Sequence, residues 1–169
     1  MNRNKGFSLI ELLIVVAIIL IIAAIAIPNL LRSRIAANES SAAAAVRSIS
    51  TAEVSYAAAY PTVGFAADLS NLGGTAGSCT PSSTTACLID STLTAGVKSG
   101  YSFAAVGGTP SPSGDNTTYA AGAAPLTYNQ TGVRLFCAVQ DGVLRADPNT
   151  GSSTTPPNAS NCPSMGPLQ

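Results

Sequence analysis

An uninterrupted apolar segment near the N-terminus places the strongest constraint on this chain. No side chain is polar from Leu12 to Ile27, and the apolar character extends with few interruptions from Phe7 to Leu31. A bilayer core requires about 20 mostly apolar residues. Arg3 and Lys5 precede the segment, which predicts that the N-terminus stays in the cytoplasm and the remainder is exported. The sequence therefore predicts a membrane-spanning helix, either a signal anchor or a secretory signal peptide cut after its apolar core.

Two details distinguish this segment from an ordinary anchor or signal peptide. A Lys-Gly-Phe junction at residues 5–7 comes before the apolar run, and Glu11 lies inside the run. A carboxylate at such a position costs roughly 2.5–3.5 kcal/mol on insertion scales, so it needs a partner. Nothing else within the run can pair with Glu11. We therefore expect its partner to be a chain terminus, a lipid head group or another chain.

The segment Lys5-Gly-Phe-Ser-Leu-Ile-Glu-Leu12 resembles the prepilin motif of type IV pilins and of the related secretion pseudopilins. The resemblance is dense from residue 5 to about residue 35 and only architectural beyond it. It implies that a dedicated membrane peptidase cuts after Gly6 and N-methylates Phe7. It also implies that Glu11 is the glutamate found at the fifth mature position of the family, and that Pro28 is the proline of its transmembrane helix.

Elementary electrostatics supports an assembly role for these residues. Cleavage after Gly6 would leave a free amine on Phe7, one helical turn from Glu11. The carboxylate can neutralise that amine or the amine of a neighbouring copy, and in a low-dielectric bundle a paired charge is tolerated while an unpaired one is penalised. Phe7 and Glu11 are therefore predicted to fix the subunit stagger, unless Glu11 merely reaches the cytoplasmic interface. Pro28 removes a helical hydrogen bond and predicts a kink or local melting.

A helical pattern continues beyond Pro28 as far as Tyr60. Apolar residues recur at steps of three, four or seven and form one stripe: Leu31, Ile35, Ala42, Val46, Ile49, Tyr56 and Tyr60. The charged residues Arg32, Arg34, Glu39, Arg47 and Glu53 are expected largely off that stripe. Pro61 disfavours helical backbone at Tyr60. One helix from about Phe7 to about Tyr60 would be roughly 80 Å long, so its first half should be an anchor and its second half should pack under a head domain.

The composition beyond residue 60 shifts to Gly, Ser, Thr, Pro, Asn and Ala, which is typical of short strands and turns. A short helical turn is possible at Asp68–Leu72. Strands are predicted over Lys98–Val106, over Thr117–Ala121 or Leu126–Tyr128, and over Val133–Val139 and Val143–Ala146. The last two flank a hairpin turn at Gln140–Gly142. Gly73, Gly74, Gly107 and Gly108 are interpreted as loop glycines, and residues 148–169 as an irregular tail.

These elements predict an α+β fold in which a long N-terminal helix packs under a small antiparallel sheet. The predicted divisions are a leader at 1–6, a transmembrane or fibre-core helix at 7–31, an amphipathic helix at 32–60 and a β-sheet head at 61–169. The hairpin around residues 132–147 resembles the one common in pilin heads. The resemblance therefore implies the same architecture as the patterning does.

Four cysteines, Cys79, Cys87, Cys137 and Cys162, lie in the part predicted to be exported. An oxidising compartment favours disulfides, for which three pairings are possible. A four-cysteine zinc site without any Cys-x-x-Cys pair and free thiols are the alternatives. Many type IV pilins close their C-terminal tail with a disulfide. That resemblance favours Cys137–Cys162 and, with it, Cys79–Cys87.

Composition argues against several other classes of function. The chain contains no His, and its Lys+Arg and Asp+Glu counts are 8 and 8, so it carries no basic field for nucleic acid. A Ser–Lys dyad would have to use Lys98, and no motif supports one. Asp141, Asp147 and Asn149 could bind a cation but are interpreted as turn residues. We therefore predict no enzymatic activity, no cofactor, no metal and no specific nucleic acid.

The resemblance implies a structural subunit of a type IV pilus, cut by prepilin peptidase and polymerised into a helical surface fibre for motility, adhesion or DNA uptake. Its partners would be other copies of itself, the peptidase, an inner-membrane assembly platform and membrane lipid before assembly. It would wait in the inner membrane with its head outside the cytoplasm and then enter an extracellular fibre. The alternatives are a type II secretion pseudopilin, a minor pilin and, from another class, a membrane-anchored exported enzyme.

Overall fold

A computed structural model describes residues 7–74 and 77–168 of the chain. The described residues divide into two compact units between Arg34 and Ile35. Gly6, the predicted cleavage position, lies outside the described residues.

One helix, α1, runs over Leu9–Ala59 and accounts for 51 residues. The predicted long helix is confirmed. It ends where expected: the Tyr60 amide makes a last helical hydrogen bond to the Tyr56 carbonyl, and Pro61 follows directly. Helical structure continues through Pro28 without interruption, and the kink there stays a prediction. By length and composition, α1 contains an apolar window able to cross a membrane, with mean hydropathy 3.3.

The second unit is built on a six-stranded sheet whose neighbouring strands are antiparallel and follow chain order. The strands are β1 (Val97–Lys98), β2 (Tyr101–Pro110), β3 (Asn116–Pro125), β4 (Leu135–Val139), β5 (Arg145–Asp147) and β6 (Gly166–Pro167). Two short helices precede them, α2 (Leu69–Leu72) and α3 (Ser91–Thr94), and a 3₁₀ turn covers Cys162–Ser164. The α+β class with an antiparallel sheet is thereby confirmed.

Both faces of this sheet are covered. Successive residues of a strand point to opposite faces, and in β4 Phe136 and Ala138 enter the main core with the helix, while Cys137 and Val139 enter a second, smaller cluster. The second cluster also takes in Cys162 and Met165 from the C-terminal tail. The tail therefore covers the face of the sheet opposite to the main core.

Two interpretations of the head need correction, and one open alternative is decided. Gly107 and Gly108 lie inside β2, not in a loop. Gly107 is required there because an added Cβ would come within 2.6 Å of the Ala66 carbonyl oxygen, where the connection after α1 crosses the strand. Of the two alternatives for the next strand, Thr117–Ala121 lies within β3, whereas Leu126–Tyr128 lies outside the named strands.

The second correction concerns the tail, which is only partly irregular. Its residues Gly166 and Pro167 form β6 and pair with Ala146 and Arg145 of β5. Two residues are too few for an alternating pattern to predict a strand. The existing edge of β5 supplies the pairing partner, so the strand is imposed by tertiary structure.

The stripe on α1 also differs from its prediction. Glu39 and Glu53, expected largely off the apolar stripe, are buried, with exposed fractions of 6% and 0%. They occupy the two places where the apolar pattern jumps by seven residues, between Ile35 and Ala42 and between Ile49 and Tyr56. The buried face of the helix therefore carries two carboxyl groups, each of which needs a partner from elsewhere in the head.

Candidate assembly site

The predicted assembly residue Glu11 lies in the first turn of α1. Its Oε2 accepts a hydrogen bond from the Ser8 backbone amide at 2.9 Å. This contact is one half of a capping box, in which a residue three positions after the N-cap reaches back to the N-cap amide. The Ser-x-x-Glu spacing at residues 8–11 is the sequence signal for it, and our sequence interpretation missed that role. A carboxylate in the first turn also interacts favourably with the helix dipole.

The capping contact does not neutralise Glu11. Among the residues that the structure describes, no cation lies within ion-pair distance of this carboxylate. Phe7, which would carry the new amine after cleavage, is 83% exposed. A single copy therefore presents both predicted assembly residues without a charged partner at either one.

The helix that follows Glu11 exposes its apolar side chains on every side. The large apolar residues from Phe7 to Leu31 are all more than two-fifths exposed. Arg32 and Arg34 then end the apolar surface. Along the helix axis Glu11 and Arg32 are roughly 30 Å apart, which is about the thickness of a bilayer core. Such a surface needs lipid or other helices around it.

The head contains a separate polar cluster centred on Glu39. Its Oε1 accepts the backbone amides of Val133 and Arg134 at 3.0 and 3.1 Å, and its Oε2 accepts the Arg134 Nε at 2.8 Å. The Arg134 guanidinium also lies 5.4 Å from the centre of the Phe136 ring. Three charge-assisted hydrogen bonds offset the desolvation of this carboxylate. Glu39 thus fixes the second half of α1 to the chain that enters β4.

All four cysteines are paired in the structure. Cys137 of β4 bonds to Cys162 of the tail, with their Cα atoms 5.8 Å apart and both residues fully buried. Cys79 bonds to Cys87, with Cα atoms 6.0 Å apart, in the long connection before α3. No thiol is left free, so the structure contains neither a four-thiolate site nor a reactive cysteine. The first bridge clamps the tail onto the sheet.

We expect the two disulfides to contribute unequally to stability. In the chain-entropy account, the bridge with a sequence separation of 25 contributes about 3.5 kcal/mol and the one with a separation of 8 about 2.5 kcal/mol. Chemical denaturation of the full chain, followed by tyrosine fluorescence, should therefore show a larger loss for the double variant Cys137→Ser/Cys162→Ser than for Cys79→Ser/Cys87→Ser. An equal loss of stability in the two double variants, or a larger loss in Cys79→Ser/Cys87→Ser, would contradict the tail-clamping role.

The residues weighed for other chemistry have structural roles. Over the described parts of the chain, no three His, Cys, Asp or Glu side chains come together as metal ligands. Asp141 accepts the Val143 amide at 2.9 Å and an Arg145 guanidinium nitrogen at 3.0 Å, which supports the turn before β5. Asp147 accepts the Asn149 amide at 2.6 Å. These contacts agree with the interpretation of these acids as turn residues.

Lys98, the lysine considered for a Ser–Lys dyad, is paired with an acid. Its Nζ lies 2.9 Å from Asp90 Oδ2. The Thr92 hydroxyl and this ammonium group hold the pKa of the Asp90 carboxyl below its usual range. Lys98 is therefore engaged in an ion pair with the residue that caps the start of α3.

The N-terminal segment matches a known protein family. The family described as "Prokaryotic N-terminal methylation motif" matches residues 1–27. The type IV major pilin protein PilA of Myxococcus xanthus is 50% identical over 54 residues, which are 32% of this chain and 24% of that protein. The type IV wide pilus major component PilA4 of Thermus thermophilus is 64% identical over 39 residues, which are 23% of this chain and 30% of that protein.

These matches have a limited extent. The alignments span less than a third of the length of either relative. No solved structure matches the chain. The family match over residues 1–27 contains Gly6, Phe7 and Glu11. The chain carries the prokaryotic N-terminal methylation motif and resembles type IV pilins, as its sequence predicts.

Proposed function

We propose that this chain is a structural subunit of a type IV pilus. The observation that carries the proposal is the overlap of two features: a methylation motif at residues 1–27, and a helix whose apolar side chains are exposed on every side from Leu9 to Leu31. Such a helix can remain in lipid or pack with copies of itself. The two relatives reported above are named as major components of type IV pili.

In the proposed pathway, a membrane peptidase cuts after Gly6 and the new amine of Phe7 is methylated. Glu11, whose carboxylate in a single copy accepts the Ser8 amide, then pairs with the amine of a neighbouring copy. An unpaired charge inside an apolar bundle is costly, so one subunit stagger is favoured over others. The apolar surface stays covered before and after insertion, since lipid is exchanged for helices.

The proposal also places the protein in the cell. Arg3 and Lys5 hold the N-terminus in the cytoplasm, so the head lies beyond the inner membrane. Disulfides form and persist in oxidising compartments, so the two bridges support export of the head. An inner-membrane assembly platform would collect the processed subunits into a fibre that serves motility, adhesion or DNA uptake. The chain acts as a structural component and performs no catalysis.

Intact-mass and N-terminal peptide mass spectrometry of fibres sheared from producing cells tests the proposal. We expect this chain to dominate the preparation, to begin at N-methylated Phe7 and to carry oxidised cysteines. A chain cut after Gly6 but absent from the fibres would instead be a minor pilin or a secretion pseudopilin. An intact N-terminus, or a cut after the apolar core, would overturn the proposal as a whole.

A further inference from the structure

The second buried glutamate of α1, Glu53, is held very differently from Glu39. It is 0% exposed, and its Oε2 accepts one hydrogen bond, from the Ala66 backbone amide at 2.9 Å. Its Oε1 has no hydrogen-bond partner among the described residues. Glu39, on the same helix face, has three donors and one of them is a guanidinium. Glu53 is therefore a buried acid whose ionised form is poorly compensated.

Among the described residues, no group that interacts with Glu53 carries a positive charge. Tyr56, one turn further along α1, and Tyr119 of β3 interact electrostatically with it. Tyr119 in turn interacts with Asp141 from the turn after β4, and Tyr56 with Tyr60. The connection that follows α1 contributes the Ala66 amide. Burial raises the pKa of the Glu53 carboxyl to about 7, and the Ala66 hydrogen bond opposes this rise only in part.

The contact between Glu53 and Ala66 joins α1 to the segment that leads into the sheet. That segment, residues 60–68, also pairs with the sheet, since the Phe65 amide donates to the Asn116 carbonyl at 3.0 Å and the Gly107 amide to the Ala67 carbonyl at 3.2 Å. Ala66 itself is fully buried. Water can therefore reach the Glu53 carboxylate only if this segment moves away from the helix or the sheet.

We propose that Glu53 is a pH-sensitive latch that holds residues 60–68 against α1 and the sheet in mildly acidic medium and loosens them when the medium becomes alkaline. In the neutral form the carboxyl accepts the Ala66 amide without burying a charge. In the ionised form the same site buries a charge without a counter-ion, and opening of the segment relieves the cost by admitting water. The latch is independent of the proposed function, although an exported head would experience external pH directly.

The direction of the effect follows from linkage. The carboxyl has a pKa of about 7 in the folded head, against an ordinary value of 4.5 for a glutamate in water. Its contribution to stability is therefore complete below pH 4.5 and is lost as the pH rises through about 7. The folding equilibrium of the head should weaken by a factor on the order of 100 across this window.

Thermal unfolding of the full chain in detergent tests the latch. All five tyrosines lie in the second unit, residues 35–169, and the chain has no Trp, so near-ultraviolet circular dichroism of tyrosine reports on that unit alone. We expect the midpoint to fall by on the order of 5 °C between pH 5 and pH 8. In Glu53→Gln the fall should disappear, because the amide keeps an acceptor for Ala66 and cannot ionise.

Glu39→Gln is the matched control, because it removes the other buried carboxylate from the same helix face. It should lower the midpoint at every pH and keep the fall between pH 5 and pH 8. A Glu53→Gln protein with the same fall as the wild type would overturn the proposal.

If Glu53→Gln does not fold, amide hydrogen exchange in the wild-type chain tests the proposal instead. The protection factor of the Ala66 amide should drop by at least tenfold from pH 5 to pH 8. The Val133 amide, which donates to Glu39, is the internal control and should keep its protection. Unchanged protection at Ala66 over this range would overturn the latch.

Discussion

Glu11→Gln is expected to reduce fibre assembly by more than 100-fold without lowering the amount of subunit in the membrane. Glutamine can still accept the Ser8 amide that Glu11 Oε2 accepts at 2.9 Å, so the start of α1 is preserved. Only the negative charge is lost. Removing one partner of a buried ion pair typically costs 3–5 kcal/mol, here at every subunit contact of the fibre. Immunoblots that compare sheared fibres with the membrane fraction measure the ratio.

Asn29→Ala is the matched control for this experiment. Asn29 is another polar residue within the exposed apolar stretch of α1, and its replacement should leave the fibre-to-membrane ratio within twofold. Normal fibre yield from Glu11→Gln, combined with a loss in Glu11→Ala, would assign Glu11 to helix capping alone. The charge-pairing step of the proposed pathway would then be rejected, while the fibre proposal itself would stand on the mass-spectrometry result.

The N-terminal half of this molecule could be predicted because local signals determine it. A long run without polar side chains can satisfy its backbone in lipid only as a helix, and Pro61 sets the end of that helix at Ala59. The turn after Asp68 was predictable for the same reason, since it depends on neighbours within a few residues. None of these elements requires contacts from distant parts of the chain.

The two buried glutamates show where local patterning fails. A charged residue in a helical pattern is assigned to solvent unless its partner is known, and the donors to Glu39 lie 94 and 95 positions later in the chain. The steps of seven in the apolar stripe were the available signal. Each step of seven skips one position on the buried face of the helix. In the structure these two positions are occupied by Glu39 and Glu53.

Strand β3 shows a second way in which local patterning fails to indicate the structure. Its sequence is dominated by alanine and glycine, which have low strand propensity. Every residue from Tyr119 to Pro125 is nevertheless buried, because the strand lies between the main core and the tail. Small side chains allow these two layers to approach closely, so packing selects the strand where propensity does not.

Gly122→Val is expected to destabilise the head by more than about 4 kcal/mol, more than the loss of either disulfide. Gly122 pairs with Cys137 in the sheet, and the tail crosses over it. A Cβ at this position would lie 2.9 Å from the Pro157 backbone nitrogen and would overlap the Pro157 carbonyl oxygen. Both groups are backbone, so neither can rotate away, and the tail must lift from the sheet. Chemical denaturation followed by tyrosine fluorescence measures the loss.

Gly151→Val provides the matched control in the same tail. No atom lies within 4 Å of the position its Cβ would take. Its substitution should change the unfolding free energy by no more than about 0.5 kcal/mol. If the tail is the part displaced, limited proteolysis of Gly122→Val should cut the chain after residue 148 under conditions in which Gly151→Val stays intact. Equal stability of the two variants would mean that the tail does not pack on β3, and the second core cluster would lose its support.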